Sequence, residues 1–455
     1  MKGMRTTFSR LIVLTVCACT LVAQGGPAFG RTANGQGRHR QYRYTSYRLA
    51  NGLRVVLAPD ETQSGVAVNL SFDAGSGVED AGQARLAGLA QRIVLQNLRR
   101  SQDGERGDAG GGRPKPFEGV VNQERASYLS ECTAGRLDSV VSSLARRTHA
   151  PEVTRTSVDE QTLVMLDECR QSDNRRFGRV QEVLLELLYQ DSAHRYGAVC
   201  SAPDLNHLTP ERTEAFLKTY YVPANAVVAI VGNFDEADAR RIVAKHFGAV
   251  RGRKAPSRAR LRDRPPSLGR RKVIDDARAA AATYMSAYPT VPSNHPDWYA
   301  MNVLADVIGQ GETSRLHAAL VTKSLAASVP EGVAESRGRS LFRVGAALLP
   351  GVRVETVEAV IDAEIARLRD EGVTRTELEK AKAQERAYYS EQLGTPAGRA
   401  SFLARSTLYY DEPNLINTEL GFILAVTSRD VRRVARKYLV RTNRAVVISR
   451  PGATK

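Results

Sequence analysis

Histidines, cysteines and paired carboxylates are the side chains best able to hold a metal ion or move a proton, and their spacing decides what chemistry is available. The chain carries seven histidines: His39, His149, His194, His207, His246, His295 and His317. No two of them lie within four positions of each other, so no helix face offers the paired imidazoles that grip a zinc ion. Cys17 and Cys19 sit in an apolar N-terminal run, and Cys132, Cys169 and Cys200 are widely spaced with no Cys-x-x-Cys pair. Three such cysteines make a poor metal site; an exported chain could join two of them and keep one thiol. There is no Gly-x-Ser-x-Gly elbow and no phosphate-binding loop. Gly75-Ser-Gly77 lacks the strand-turn-helix context such a loop requires, and Gly107-Asp-Ala-Gly-Gly-Gly112 reads as a flexible insertion.

The N-terminus carries a targeting signal. Lys2, Arg5 and Arg10 precede an apolar run, Leu11 to Ala23, followed by small residues. This is the pattern of a signal peptide (residues 1–30) cleaved between Ala23 and Gly30, and the run is too short to span a bilayer comfortably. The expected location is periplasmic or secreted, in a bacterial envelope, with no membrane span after cleavage. The full sequence has the make-up of a soluble globular protein, 42% hydrophobic and 25% charged. Its formal net charge of +16 is uneven: residues 251–272 hold ten Lys/Arg against one Asp. That stretch reads as a solvated interdomain linker. It lacks interleaved aromatics, so no nucleic-acid partner is expected.

The elements that must position any chemistry fall into two similar halves, 43–250 and 273–450, after a flexible segment at 31–42. The first opens as a hairpin: Thr45 to Ala50, a turn at Asn51-Gly52, then Leu53 to Leu57. Val66–Phe72 alternates as a strand. Arg85–Leu98 is a helix, and Ser101–Pro116 is rich in Gly, Pro and charge and reads as a loop. Helices follow at Leu137–Ala145, Val158–Cys169, Asn174–Tyr189 and Thr209–Tyr220, then a strand at Ala226–Val231 and a helix at Asp235–Phe247. The second half repeats the order. Strands at Ala280–Tyr288 and Leu341–Leu349 flank helices at Pro296–Ile308 and Ser314–Ser324. Helices at Val354–Asp370, Thr374–Leu393 and Ser428–Tyr438 precede a last strand at Arg444–Ser449. Strands first, long helices next and a closing strand in each half predict an α+β fold. It consists of two tandem homologous domains, each a largely antiparallel sheet covered by helices.

Several stretches together resemble the pitrilysin/insulinase family of zinc metallopeptidases, which includes the mitochondrial processing peptidase and exported bacterial homologues. They are Leu49-Ala-Asn-Gly-Leu-Arg-Val-Val-Leu57, Phe72-Asp-Ala-Gly-Ser-Gly-Val-Glu79, Gly88-Leu-Ala, Tyr220-Tyr-Val-Pro-Ala-Asn-Ala, Val231-Gly-Asn-Phe-Asp235, Thr313-Ser-Arg-Leu316, Gly372 to Leu378 and Val426 to Val431. The resemblance covers residues 43 to 450 and implies a half-clamshell of two such domains. Active members follow Gly-Leu-Ala with His-x-x-Glu-His on a helix, where two imidazoles bind zinc and the Glu takes a proton from its water. The corresponding positions here are Gln91, Val94 and Leu95. A neutral amide and two aliphatic side chains cannot do that work. Asp167, or Glu168 with a one-residue shift, falls where the family keeps its last zinc-binding Glu. A tyrosine used by many active members falls at Ala327.

The resemblance therefore implies a degenerate member without catalytic or metal-binding residues. Its relatives hold zinc; this chain is expected to hold no cofactor. As half a clamshell it is expected to pair with a zinc-bearing homologous subunit or with itself as a dimer, and to hold extended peptides. The peptide would add as a strand near Asn122, Gln123, Glu124 and Arg125, the family's substrate edge. An active metallopeptidase with a non-standard site and a standalone peptide or envelope binding module are the alternatives.

Overall fold

The computed structural model describes residues 41–452 apart from 80–83, 104–113, 174, 176, 190–204, 257–268, 277–278 and 280. The expected signal peptide, His194, Cys200 and most of the basic stretch lie outside the described residues.

The first half contains strands β1 (Thr45–Arg48), β2 (Arg54–Pro59), β3 (Val66–Phe72), β4 (Glu118–Val121), β5 (Ala126–Cys132) and β6 (Ala226–Gly232). They form one sheet in the order β1-β2-β6-β3-β5-β4. Its helices are α1 (Leu86–Asp103), α2 (Leu137–His149), α3 (Arg155–Asp173), α4 (Gly178–Leu188), α5 (Pro210–Tyr220) and α6 (Glu236–Phe247). The second half contains β7 (Arg270–Asp276), β8 (Thr283–Pro289), β9 (Ala326–Ser328), β10 (Glu331–Ala334), β11 (Leu341–Leu348) and β12 (Ala445–Pro451). Its helices are α7 (Pro296–Gly309), α8 (Val354–Asp370), α9 (Arg375–Leu393), α10 (Pro396–Tyr410), α11 (Leu415–Leu424) and α12 (Ser428–Tyr438).

The second sheet runs β10-β11-β8-β12-β7, with β9 paired to β11. Strand for strand this is the order β4-β5-β3-β6-β2 of the first. In each sheet one early strand lies parallel to the last, β2 against β6 and β7 against β12. The other pairings are antiparallel. The fold is α+β, two homologous units in tandem.

The two sheets exchange helices. α10 of the second half lies across β3 and β6 of the first, and α4 of the first lies on β8 and β12 of the second. Alternation of side chains along a strand explains how one sheet serves both partners. Val55, Leu57, Val66, Val68 and Leu70 face their own helices, while Val56, Ala58, Ala67, Val227 and Ala229 join the core that holds α10. β3 and β6 are buried along their whole length for this reason. Polar contacts pin the exchange: Arg54 donates to the Thr407 carbonyl at 2.7 Å, and Arg399 pairs with Asp60 at 2.6 Å.

Local signals set several helix starts. Thr209, Thr374 and Thr427 each accept from a backbone N–H in the first turn, the last two within full capping boxes. Three expectations need correction. Arg270–Lys272, placed in the linker, already belong to β7. The helix expected at Ser314–Ser324 is helical over 315–321, its last five residues, His317–Val321, being π-helical, and ends in a turn with Ser324 at φ 57°. The helix expected from Asn174 starts only at Gly178.

The helix α7 takes the place in the second half that α1 takes in the first, and it carries Asp306. Burial, with Glu385 of α9 and Glu331 of β10 nearby, raises the Asp306 carboxyl well above its ordinary range. Burial likewise lifts Glu331 and Glu385 to about 7. Acids raised in the folded state bind protons that the unfolded chain has released, so stability is present at acid pH and is lost as pH rises through about 7. Asp306→Asn is expected to stabilise the protein by roughly 1–3 kcal/mol at pH 8 and by progressively less as pH falls towards the ordinary aspartate range near about 4, by thermal melts across pH.

Candidate functional site

The site is built around α1. At its N-terminus the Glu79 carboxylate accepts from the Arg85 and Ala87 backbone N–H groups at 3.1 and 2.7 Å. Arg85 takes φ 75°, a left-handed conformation that swings the chain onto this anchor. Burial lifts Glu79 to about 7 despite those two bonds.

From there α1 runs between β4 and α3, packed on the first sheet through Leu86, Leu89, Ala90, Ile93, Val94 and Leu98. Gln91 and Leu95 point to β4. An added Cβ on Gly119 would lie 2.0 Å from Gln91 Nε2 and 3.0 Å from Leu95 Cδ2, so glycine there is what lets the two side chains lie on the strand. Gln91 is buried, and its Nε2 has no hydrogen-bond partner among the described residues. Val94 is fully buried in the core.

Arg92, one position on, turns to α3 and pairs with Glu168; Gln96 donates to Glu160 at 3.1 Å. Asp167 accepts from Gln171 of its own helix at 2.6 Å. The fold thus brings α1 and α3 side by side, while the carboxylate of α3 nearest α1 is held by an arginine. Gln91, Val94 and Leu95 do not fit a zinc ion: one presents an orphaned amide and the others only carbon, all turned to strand or core. Among the described residues no three His, Cys, Asp or Glu side chains gather where a metal could be held. Ala327 lies exposed on β9.

The stretch Asn122, Gln123, Glu124 and Arg125 is not an edge strand. It is the turn joining β4 to β5, closed by Asn122 N–H donating to the Arg125 carbonyl at 3.0 Å. Asn122 Oδ1 accepts from the Glu124 and Arg125 N–H groups, both at 2.8 Å, so the asparagine builds the turn. The edge itself is β4, paired with β5 on one side only. Gly75 and Gly77 lie against this turn; a Cβ on Gly75 would be 2.4 Å from the Asn122 carbonyl oxygen.

The turn also joins the halves. Glu124 is buried and pairs with Arg337 at 2.6 Å, and Arg337 reaches Asp73 at 2.5 Å. The guanidinium lies 4.7 Å from the Tyr409 ring centroid. The two carboxylates, with burial opposing them, raise Arg337 far above an ordinary arginine. Sequence reading named Glu124 but not Asp73 or Arg337, whose partners are hundreds of positions away.

Between the halves opens a cavity of about 620 Å³, bounded by the N-terminal part of α1, α3, the β4–β5 turn, β10 and β11. Gly88, Arg92, Val121 and Glu168 face it from the first half, Glu335, Arg339 and Leu341 from the second. Cys169, also on its wall, is disulfide-bonded. Cys132 is a free thiol that burial pushes up to about 12, which leaves it inert as a nucleophile.

A profile of the peptidase M16 inactive domain matches residues 207–385. A zinc protease of Helicobacter pylori is 24% identical over 90% of this chain and 93% of its own length. An uncharacterized zinc protease of Mycobacterium bovis is 26% identical over 90% and 93%. The crystal structure of a protease from Helicobacter pylori superposes with a TM-score of 0.81 at 19% identity, covering 90% of this chain and all (100%) of that one. A peptidase M16 inactive domain from Pseudomonas fluorescens gives 0.79 at 18%, covering 91% and 99%. With two sheets of one strand order, exchanged helices, an inactive-domain match running from the end of the first half into the second and relatives matched along nearly their whole length, the chain belongs to the pitrilysin family, peptidase M16.

Proposed function

We propose that this protein is an exported, non-catalytic member of its family that holds extended peptides between its halves and works paired with a zinc-bearing relative. The observation that carries the reading is the state of α1: Gln91 and Leu95 lie on β4, Val94 is in the core, and Glu168 is engaged by Arg92. A helix in this state has neither ligands nor base for metal-assisted hydrolysis. The cavity and the one-sided edge of β4 still suit an extended chain, because strand addition draws on backbone groups rather than particular side chains.

Pairing is supported by the surface. Val120 on β4 (41% exposed) and Leu163 and Val164 on α3 (66% and 44%) stand out on the two elements that flank α1. Exposed large apolar side chains on both elements beside α1 would suit a partner that covers that helix. Export is supported by the charged-then-apolar N-terminus and by the disulfide at Cys169. No helix of the described residues is long and apolar enough to cross a membrane.

The test uses the purified chain and labelled extended peptides, followed by anisotropy for binding and mass spectrometry for cleavage. Binding without cleavage is expected, with or without added zinc. Chelator-sensitive hydrolysis that persists through successive purification steps would overturn the reading and favour an active site elsewhere in the chain.

A further inference from the structure

A second cavity, of about 440 Å³, opens on the first half and shares no lining residue with the one between the halves. Its walls come from the end of α2, the segment that follows, α5 with its exit turn, and the stretch after α6. The interior is apolar and built partly from rings. Leu217, Tyr221, Val222 and Pro223 are buried on its walls. The Tyr221 hydroxyl is engaged with that of Tyr128 at 2.9 Å, so Tyr221 offers the cavity ring surface rather than a free polar group.

His149 closes α2 and lines the same cavity. Its Nδ1 lies 3.0 Å from the Ala145 carbonyl oxygen, an atom that can only accept. Nδ1 therefore carries the proton, and Nε2 is left as an acceptor. Nε2 is buried and has no hydrogen-bond partner among the described residues. Burial draws the imidazole down to about 4, so the ring is neutral at pH 7. A buried acceptor without a donor costs the folded chain free energy that a ligand hydroxyl would restore.

Three cations border the cavity, Lys218, Arg251 and Arg253, against one carboxylate, Glu214. Glu214 is paired with Lys218 at 2.7 Å. Arg251 and Arg253 are exposed and make no ion pair among the described residues. Apolar walls with a few polar groups that fix orientation are what small-molecule sites share. We propose that this cavity binds a small phenolic carboxylate, its ring against Tyr221 and Pro223, its hydroxyl donating to His149 Nε2 and its carboxylate held by Arg251 and Arg253. The site is separate from peptide holding, since none of these residues borders the cavity between the halves.

Calorimetric titration of the purified chain with para-hydroxyphenylpropionate, phenylpropionate and tyramine tests the assignment. The hydroxy acid is expected to bind tightest. Phenylpropionate should bind about three- to tenfold more weakly for want of the hydroxyl. Tyramine keeps the phenol but reverses the charge, and should bind weakest. The double variant Arg251→Ser, Arg253→Ser should keep its melting temperature, because both side chains are exposed, and lose about tenfold in affinity for the hydroxy acid. Equal affinity for the two acids, tyramine binding as well as the hydroxy acid, an unchanged affinity in the double variant, or no binding of any of the three would each overturn the proposal.

Discussion

Arg337→Met should weaken the protein by about 3–5 kcal/mol, because it strands two buried carboxylates at the junction of the halves. Arg337 is itself only 11% exposed at its side chain, and Asp73 and Glu124 are 4% and 9% exposed. Its bonds reach further than the two ion pairs. The Arg337 N–H and Ser336 hydroxyl both donate to Glu124, at 3.1 and 3.2 Å, so the turn after β4 is tied to the loop before β11. Removing the guanidinium takes from both acids the arginine that bonds them and loosens the wall of the cavity. The loss has a pH signature. Asp73 and Glu124 would be raised in the folded variant, so the deficit should shrink as pH falls and protonates them. Adding Asp73→Asn and Glu124→Gln should recover much of the loss, which separates stranded charge from lost packing. A deficit below about 1 kcal/mol by denaturant titration would mean that the halves are held by the helix exchange alone.

Val94→Glu is the second large effect. It returns the residue type that active relatives use as general base, at a position that is fully buried here. Ala90, Ile93 and Leu98 surround it in the same core. A carboxyl placed there has no counterion and either stays protonated or opens the core, at a cost of about 4 kcal/mol or more. The expected result is a lower melting temperature and no gain of peptidase activity. An unchanged melting temperature would show that position 94 reaches water, and that the helix is turned differently from the structure described.

Much of the architecture was legible because local physics wrote it. Val66–Phe72 alternates and is a strand with those bounds; threonines followed by acids start helices where a capping box predicts them. The helix α10 was not legible. Pro396–Tyr410 is buried on nearly every side, between its own half and the first sheet, so it shows no polar face and no helical period. The turn at Asn122 to Arg125 carried its signal in Asn122, an asparagine that bonds the backbone two and three positions on, yet it lacks the glycine or proline that marks most turns. The loss of the metal motif could be read from residue types alone. What replaced it could not: Arg92 meeting Glu168, Gln91 lying on Gly119 and Arg337 joining two carboxylates are all products of tertiary approach between distant segments.

The central claim is that α1 no longer supports metal chemistry. Elemental analysis of the purified protein, after dialysis against a weak chelator, addresses it most directly. The structure predicts zinc far below stoichiometric, with no other divalent transition metal in its place. About one zinc per chain, retained through dialysis, would contradict the account and make Glu168, Asp167 and the scattered histidines the first positions to mutate.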